Sequence, residues 1–214
     1  LRNLFLYTGN CAWFYGVTLI SLADVASLQF TSPLFTAIIA AAFLGEKIGS
    51  HRMIAILVGF AGALIIIRPG VIPVNLGTMM ILIAAFLYSC AHVVTKRLSD
   101  TESGSTVVFY MSVTILVYSA IPAFVVWQTP TWADMPAMIG LGVTGYATHY
   151  CITRSLAAGD ASFVIVFDFM RLPFSAILGW LLFKEMLDAW TVGGALIIFA
   201  AGYYSTIREA KKTG

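Results

Sequence analysis

The chain has 214 residues, of which 60% are apolar and only 10% charged, and its net charge at pH 7 is +2. Soluble domains carry about 25% charged residues, and 12 basic plus 10 acidic side chains cannot shield this much apolar chain, so a soluble globular fold is excluded. The charges sit in gaps between apolar runs rather than in a basic patch, so no nucleic-acid partner is expected.

In chain order, spans are expected at about Leu4–Ile20, Val25–Leu44, Met53–Ile67, Leu76–Thr95, Val107–Trp127, Pro136–Leu156, Phe163–Phe183 and Trp190–Ile207. Nearly every one reaches the roughly 17–25 residues that cross a bilayer as a helix. The gaps hold turn-forming residues: Ser21 to Asp24, Gly45 to Ser50, Arg68 to Pro73, Ser99 to Ser105, Gln128 to Asp134, and Ala158 to Asp160. They are short, so the helices run up and down as antiparallel neighbours. Trp127, Trp132 and Trp190 suit an interfacial aromatic belt. Cys11, Cys90 and Cys151 lie singly inside apolar runs and read as packing residues. The fold class expected is all-α: a polytopic membrane helix bundle of about eight spans in a lipid bilayer.

Lys and Arg give the orientation. Alternating spans collect Arg2, Lys47, Arg52, Lys96, Arg97, Arg154, Arg208, Lys211 and Lys212 on one side, with only Arg68 and Lys184 on the other. That bias places both ends of the chain in the cytoplasm, in an inner (plasma) membrane.

The chain also repeats itself. Tyr15 stands eleven residues before Ala26-Ser27, and Tyr150 eleven before Ala161-Ser162. Each copy passes through a proline, Pro33 or Pro173, to an acidic loop containing Glu46 or Glu185, and then to a helix with Ala61-Gly62 or Ala201-Gly202. The Ser-to-Glu spacing is 19 in the first copy and 23 in the second, about one helical turn longer. The span count puts Glu46 and Glu185 on opposite faces, which makes the repeat inverted, the architecture of many secondary transporters.

The stretches from Leu22 to Glu46 and from Phe167 to Glu185 resemble the helix-loop signatures of the EamA-type drug/metabolite transporter superfamily. The resemblance implies two five-helix repeats, ten helices with cytoplasmic ends, and transport of small organic metabolites. Members of the superfamily are similar to exporters of amino acids and drugs and to importers of riboflavin or S-adenosylmethionine. Residues 1–70 then supply the last three helices of the first repeat and residues 75–214 the complete second repeat, with the first two helices of the family's ten absent from this chain.

Asp168 and Arg171 are charges inside a span, where each costs on the order of 2.5–3.5 kcal/mol at the membrane centre. Three residues apart, they share a helix face and can pair, leaving guanidinium donors for an anionic substrate. The competing reading is a structural pair. Tyr88 and His92 form an i, i+4 pair, and His149-Tyr150 lies in the sixth span. A histidine there suits a proton-coupled transporter, although one bonded across helices is the more ordinary role. Tyr15, Trp13 and Tyr150 could stack on a flat ligand. Pro33 and Pro173 interrupt corresponding spans, the pattern that points to a central binding site. Ala37, Ala41 and Gly45, and Ala55, Gly59 and Ala63, are small faces for close helix packing. Glu46 and Glu185 are expected to cap or orient loops.

HExxH, GxSxG and Walker A are missing from the sequence, as is a metal-ligand cluster, so neither catalysis nor a metal or other cofactor is expected. The function expected is a secondary transporter working by alternating access. Its rivals are a membrane-embedded enzyme or lipid-handling protein, and a non-transporting remnant.

Overall fold

The computed structural model describes residues 1–20, 22–46, 48–68, 75–183 and 189–213. Lys47, Lys184, Glu185 and residues 69–74 lie outside the described residues. The helices are α1 (Arg2–Val17), α2 (Leu22–Gln29), α3 (Ser32–Leu44), α4 (Ser50–Ile67), α5 (Leu76–Leu98), α6 (Gly104–Val125), α7 (Met135–Ala158), α8 (Ala161–Val164), α9 (Arg171–Phe183) and α10 (Ala189–Thr213). A 3₁₀ segment, Ile165–Met170, joins α8 to α9. These helices make eight rods, because α2–α3 and α8–3₁₀–α9 each follow one expected span. Among the described residues, six of the rods are long and apolar enough to cross a membrane. The other two are α1, with only 16 residues, and α7, which is long but carries Thr144, Thr148, His149, Thr153 and Arg154.

The two broken rods have one cause. Proline cannot donate to the carbonyl four residues back, and its ring crowds that carbonyl. In the first rod that residue is Gln29, where α2 ends, and Pro33 then sits in the opening turn of α3, where it is tolerated. In the second rod it is Phe169, one residue from the end of the 3₁₀ segment. The spacing difference seen in the sequence therefore surrounds a stretch wound more tightly than an α-helix.

Side-chain contacts fix the directions. Arg2 Nε donates to Thr95 Oγ1 at 2.5 Å, joining the start of α1 to the end of α5. The Tyr7 hydroxyl donates to the Tyr118 carbonyl at 3.1 Å, so α1 runs alongside α6. Glu46, after α3, meets Ala161 at the start of α8. One end of the bundle, here the near end, thus holds the starts of α1, α4, α6 and α8 and the ends of α3, α5 and α7. The far end holds the α1–α2 turn and the starts of α5 and α7.

The core is built from small side chains, with Ala37, Ala40, Ala55, Ala63, Ala84, Ala85 and Ala161 fully buried. Phe30, Ile56, Ile81 and Phe169 are buried with them, but many other large side chains face outward: Ile121, Phe124 and Val125 are each more than three-quarters exposed. This inversion of a soluble core is what lipid allows, since lipid tails solvate Phe and Ile while small residues let helices approach. The α4–α10 contact is the tightest example. A Cβ on Gly194 would lie 2.7 Å from the Gly62 carbonyl oxygen, and one on Gly62 3.0 Å from the Gly194 carbonyl oxygen. Neither backbone can yield without separating the helices. Gly194→Ala is therefore expected to lower stability by about 1–3 kcal/mol. The neighbouring Gly193→Ala, whose Cβ meets open space, should leave the detergent melting temperature unchanged or raise it. Equal melting of the two variants would contradict this packing.

Candidate functional site

Between the broken rods lies a cavity of about 980 Å³. Its wall is built from α1 (Asn10, Trp13, Phe14), α2 (Val25, Ala26, Gln29), α5 (Tyr88, His92), α7 (Leu141, Gly145, His149) and the second break (Asp168, Arg171). The lining extends towards the α1–α2 turn at the far end, and none of the described near-end loop residues contributes to it. A smaller space of about 210 Å³ shares His92, Ile152, Asp168 and Arg171 with the cavity and continues to Ser155, Leu156 and Val164, towards the near end.

The floor is made where the two breaks meet. Phe30, just past the end of α2, stacks on Phe169 of the 3₁₀ segment with centroids 5.5 Å apart and planes 17° from parallel. The Arg171 guanidinium carbon sits 4.5 Å above the Phe30 ring, a cation–π contact between the two halves. Arg171 Nη2 also pairs with Asp168 Oδ2 at 3.6 Å. Half of the Arg171 side chain and a quarter of that of Asp168 remain accessible. The pair expected from the sequence forms, and it faces the cavity with donors to spare.

Two further polar atoms on the lining are buried without a hydrogen-bond partner: Gln29 Oε1 and His92 Nδ1. Buried polar atoms are nearly always paired, and these two are themselves shut off from the cavity, so a ligand reaches them only once their side chains turn. By contrast Tyr88, also on the wall, donates to Asn10 Oδ1 at 2.7 Å.

Of the sequence-predicted site residues, Asp168, Arg171, His92, His149 and Tyr88 line the cavity, as does Trp13. Tyr15 and Tyr150 do not. Tyr15 is half-exposed outside the lining, and Tyr150 packs on the Leu6, Ala91, Val108 and Met111 cluster and stacks on Tyr146. Successive helical residues point about 100° apart, so Phe14 and His149 face inward and their tyrosine neighbours turn away. Pro33 and Pro173 are buried off the wall. They act by ending the helices that place Gln29, Phe30, Asp168 and Arg171. Sequence reasoning missed Asn10, Gln29 and Phe30. The signal for Gln29 was its position four residues before Pro33.

The EamA-like transporter family model matches residues 3–68 and 75–207. An S-adenosylmethionine uptake transporter of Rickettsia bellii is 29% identical over 99% of this chain and 72% of its own length. A riboflavin transporter of Vibrio cholerae is 35% identical over 87% of this chain and 63% of its own length. A riboflavin transporter of Brucella anthropi is 30% identical, covering 95% of this chain and 74% of the relative. A crystal structure superposes with a TM-score of 0.82 over 94% of this chain and 74% of that one, at 17% identity, which speaks for the fold alone. Apolar spans, family match and relatives agree: this chain is a multi-pass membrane protein, a transporter rather than an enzyme, and it belongs to the EamA-like transporter family of the drug/metabolite transporter superfamily.

Proposed function

We propose that this transporter carries a small organic metabolite across the plasma membrane by alternating access, with its substrate bound in the central cavity. Residues 1–70 and 75–214 act as the two inverted halves, with both chain ends in the cytoplasm. Arg171 binds an anionic group of the substrate, and Asp168 holds the guanidinium and balances its charge when the site is empty. Trp13, Phe14 and Phe30 offer aromatic faces to a flat ring, while Gln29 and His92 offer hydrogen bonds to its edge. His92 and His149 are the candidates for a coupling proton.

The observation that carries this reading is the cavity floor. Opposite charges and a cation–π contact meet where two helices are broken, beside His92 and Gln29 on the same cavity wall. Such groups are expensive inside a membrane and persist at sites that use them. The relatives named S-adenosylmethionine and riboflavin transporters set the first compounds to try. The experiment is uptake by proteoliposomes over a panel of metabolites including those two and amino acids. Saturable, protein-dependent accumulation of at least one is expected. A protein that melts cooperatively yet moves none, in either direction of loading, would count against the proposal.

A further inference from the structure

The near end of the bundle is closed by a second polar cluster, separate from the cavity. Glu46, in the loop after α3, accepts from the backbone amides of Ala161 at 2.8 Å and Ser162 at 3.0 Å, and from the Ser162 hydroxyl. Arg52, at the start of α4, donates to Ser162 Oγ at 2.8 Å and to Asp160 Oδ2 at 2.7 Å. It also lies 4.0 Å from Glu46. The Arg52 side chain is 1% exposed and that of Glu46 7%. Two carboxylates, a guanidinium and a hydroxyl therefore tie the α3–α4 loop to the α7–α8 junction, about 110 residues further along the chain.

Beneath this cluster lies an apolar plug of Ala40, Val93, Leu156 and Ala161, all buried. Leu156 belongs both to the plug and to the lining of the smaller space that leads down from Asp168 and Arg171. From the far end inward, the order is cavity, ion pair, small space, apolar plug and charged cluster. We infer that Glu46, Arg52, Asp160 and Ser162 form the near-end gate of the transporter, and that the cavity empties on that side only when this cluster parts and Leu156 withdraws. The inference rests on the alternating-access reading, because a gate is needed only if the cavity must open at each end in turn.

The chemistry suits a gate better than a permanent weld. The hydrogen bonds named above all join residues 46–52 to residues 160–162, so a rigid movement of one half against the other parts them together. The freed groups are charged or hydroxylic and lie at the bundle end, where water can solvate them. A two-state contact of this kind is what alternating access requires. The repeat is also unequal. Six residues after Glu46 stands Arg52, whereas six after Glu185 stands Thr191. At the matching spacing the second copy therefore carries no guanidinium.

The test needs no substrate, so it succeeds or fails independently of uptake. Cys11, Cys90 and Cys151 are replaced by alanine, and Gly145→Cys is introduced on the cavity wall, where a Cβ meets open space. A membrane-impermeant maleimide is applied from each face in vesicles of either orientation. The background protein should label quickly from the far side and slowly from the near side. Ser162→Ala removes the hydroxyl that links Arg52 to Glu46, and Glu46→Gln removes one charge. Each should raise near-side labelling about tenfold, as when a charge-assisted hydrogen bond is lost from one of two states, and should lower far-side labelling. Unchanged near-side rates in either folded variant would overturn the gate and leave the cluster a static tie. Fast near-side labelling of the background protein would overturn it equally.

Discussion

Replacing Asp168 by asparagine and Arg171 by methionine together is expected to leave the protein folded and to stop transport. Half of the Arg171 side chain is open to the cavity, so its removal strands little buried charge, and the Phe30–Phe169 stack remains to hold the broken rods together. The double variant should melt within a few degrees of the parent. Uptake should fall about ten- to a hundredfold, the loss expected when a charge-assisted contact of about 1.5–3 kcal/mol to the substrate disappears. Arg171→Met alone should transport as poorly as the double. If the pair were scaffold only, the single changes would destabilise the protein, and the double would recover both stability and transport.

Arg52 predicts the opposite pattern. It is almost wholly buried among Glu46, Asp160 and Ser162, and breaking a buried charge network from one side costs about 3–5 kcal/mol. Arg52→Met should therefore lower the melting temperature by about 6–20 °C, at 2–4 °C per kcal/mol for a chain of this size. Adding Glu46→Gln should restore part of the loss, because a neutral amide oxygen can still accept from the Ala161 and Ser162 amides without leaving a bare charge. A single variant melting within about 2 °C of the parent would show that the network contributes little. Two arginines in one membrane bundle thus separate by exposure, Arg171 half open and Arg52 almost wholly buried.

Much of the fold was legible because lipid imposes simple demands. Long apolar runs, short polar gaps and a one-sided Lys/Arg distribution suffice to define rods and their alternation. The breaks were legible through Pro33 and Pro173, but not their form. Proline states which carbonyl loses its donor, and packing decides whether the chain bends, as at Phe30, or winds into a 3₁₀ segment, as at Ile165–Met170. Asp168 and Arg171 stood out since a charge in an apolar run is conspicuous. Gln29, Asn10 and Phe30 did not, because neutral amides and aromatics are ordinary in membrane helices and only the fold shows which of them face a cavity. Tyr15 and Tyr150 lie one residue from the lining Phe14 and His149, because neighbours on a helix point to different faces. Glu46 was expected to cap or orient a loop, and its carboxylate does hold the first amides of α8. That its partners lie about 115 residues away could not be read from spacing.

The central claim is that substrate passes through the cavity floored by Asp168 and Arg171, and Gly145 gives the most direct access to it. In the cysteine-free background, Gly145→Cys should accumulate the transported metabolite in proteoliposomes at close to the parent rate. Modification by a bulky maleimide should then abolish uptake, and saturating metabolite should slow the modification itself. Uptake that continues undiminished after complete modification of Gly145→Cys would place the substrate path elsewhere and contradict the account.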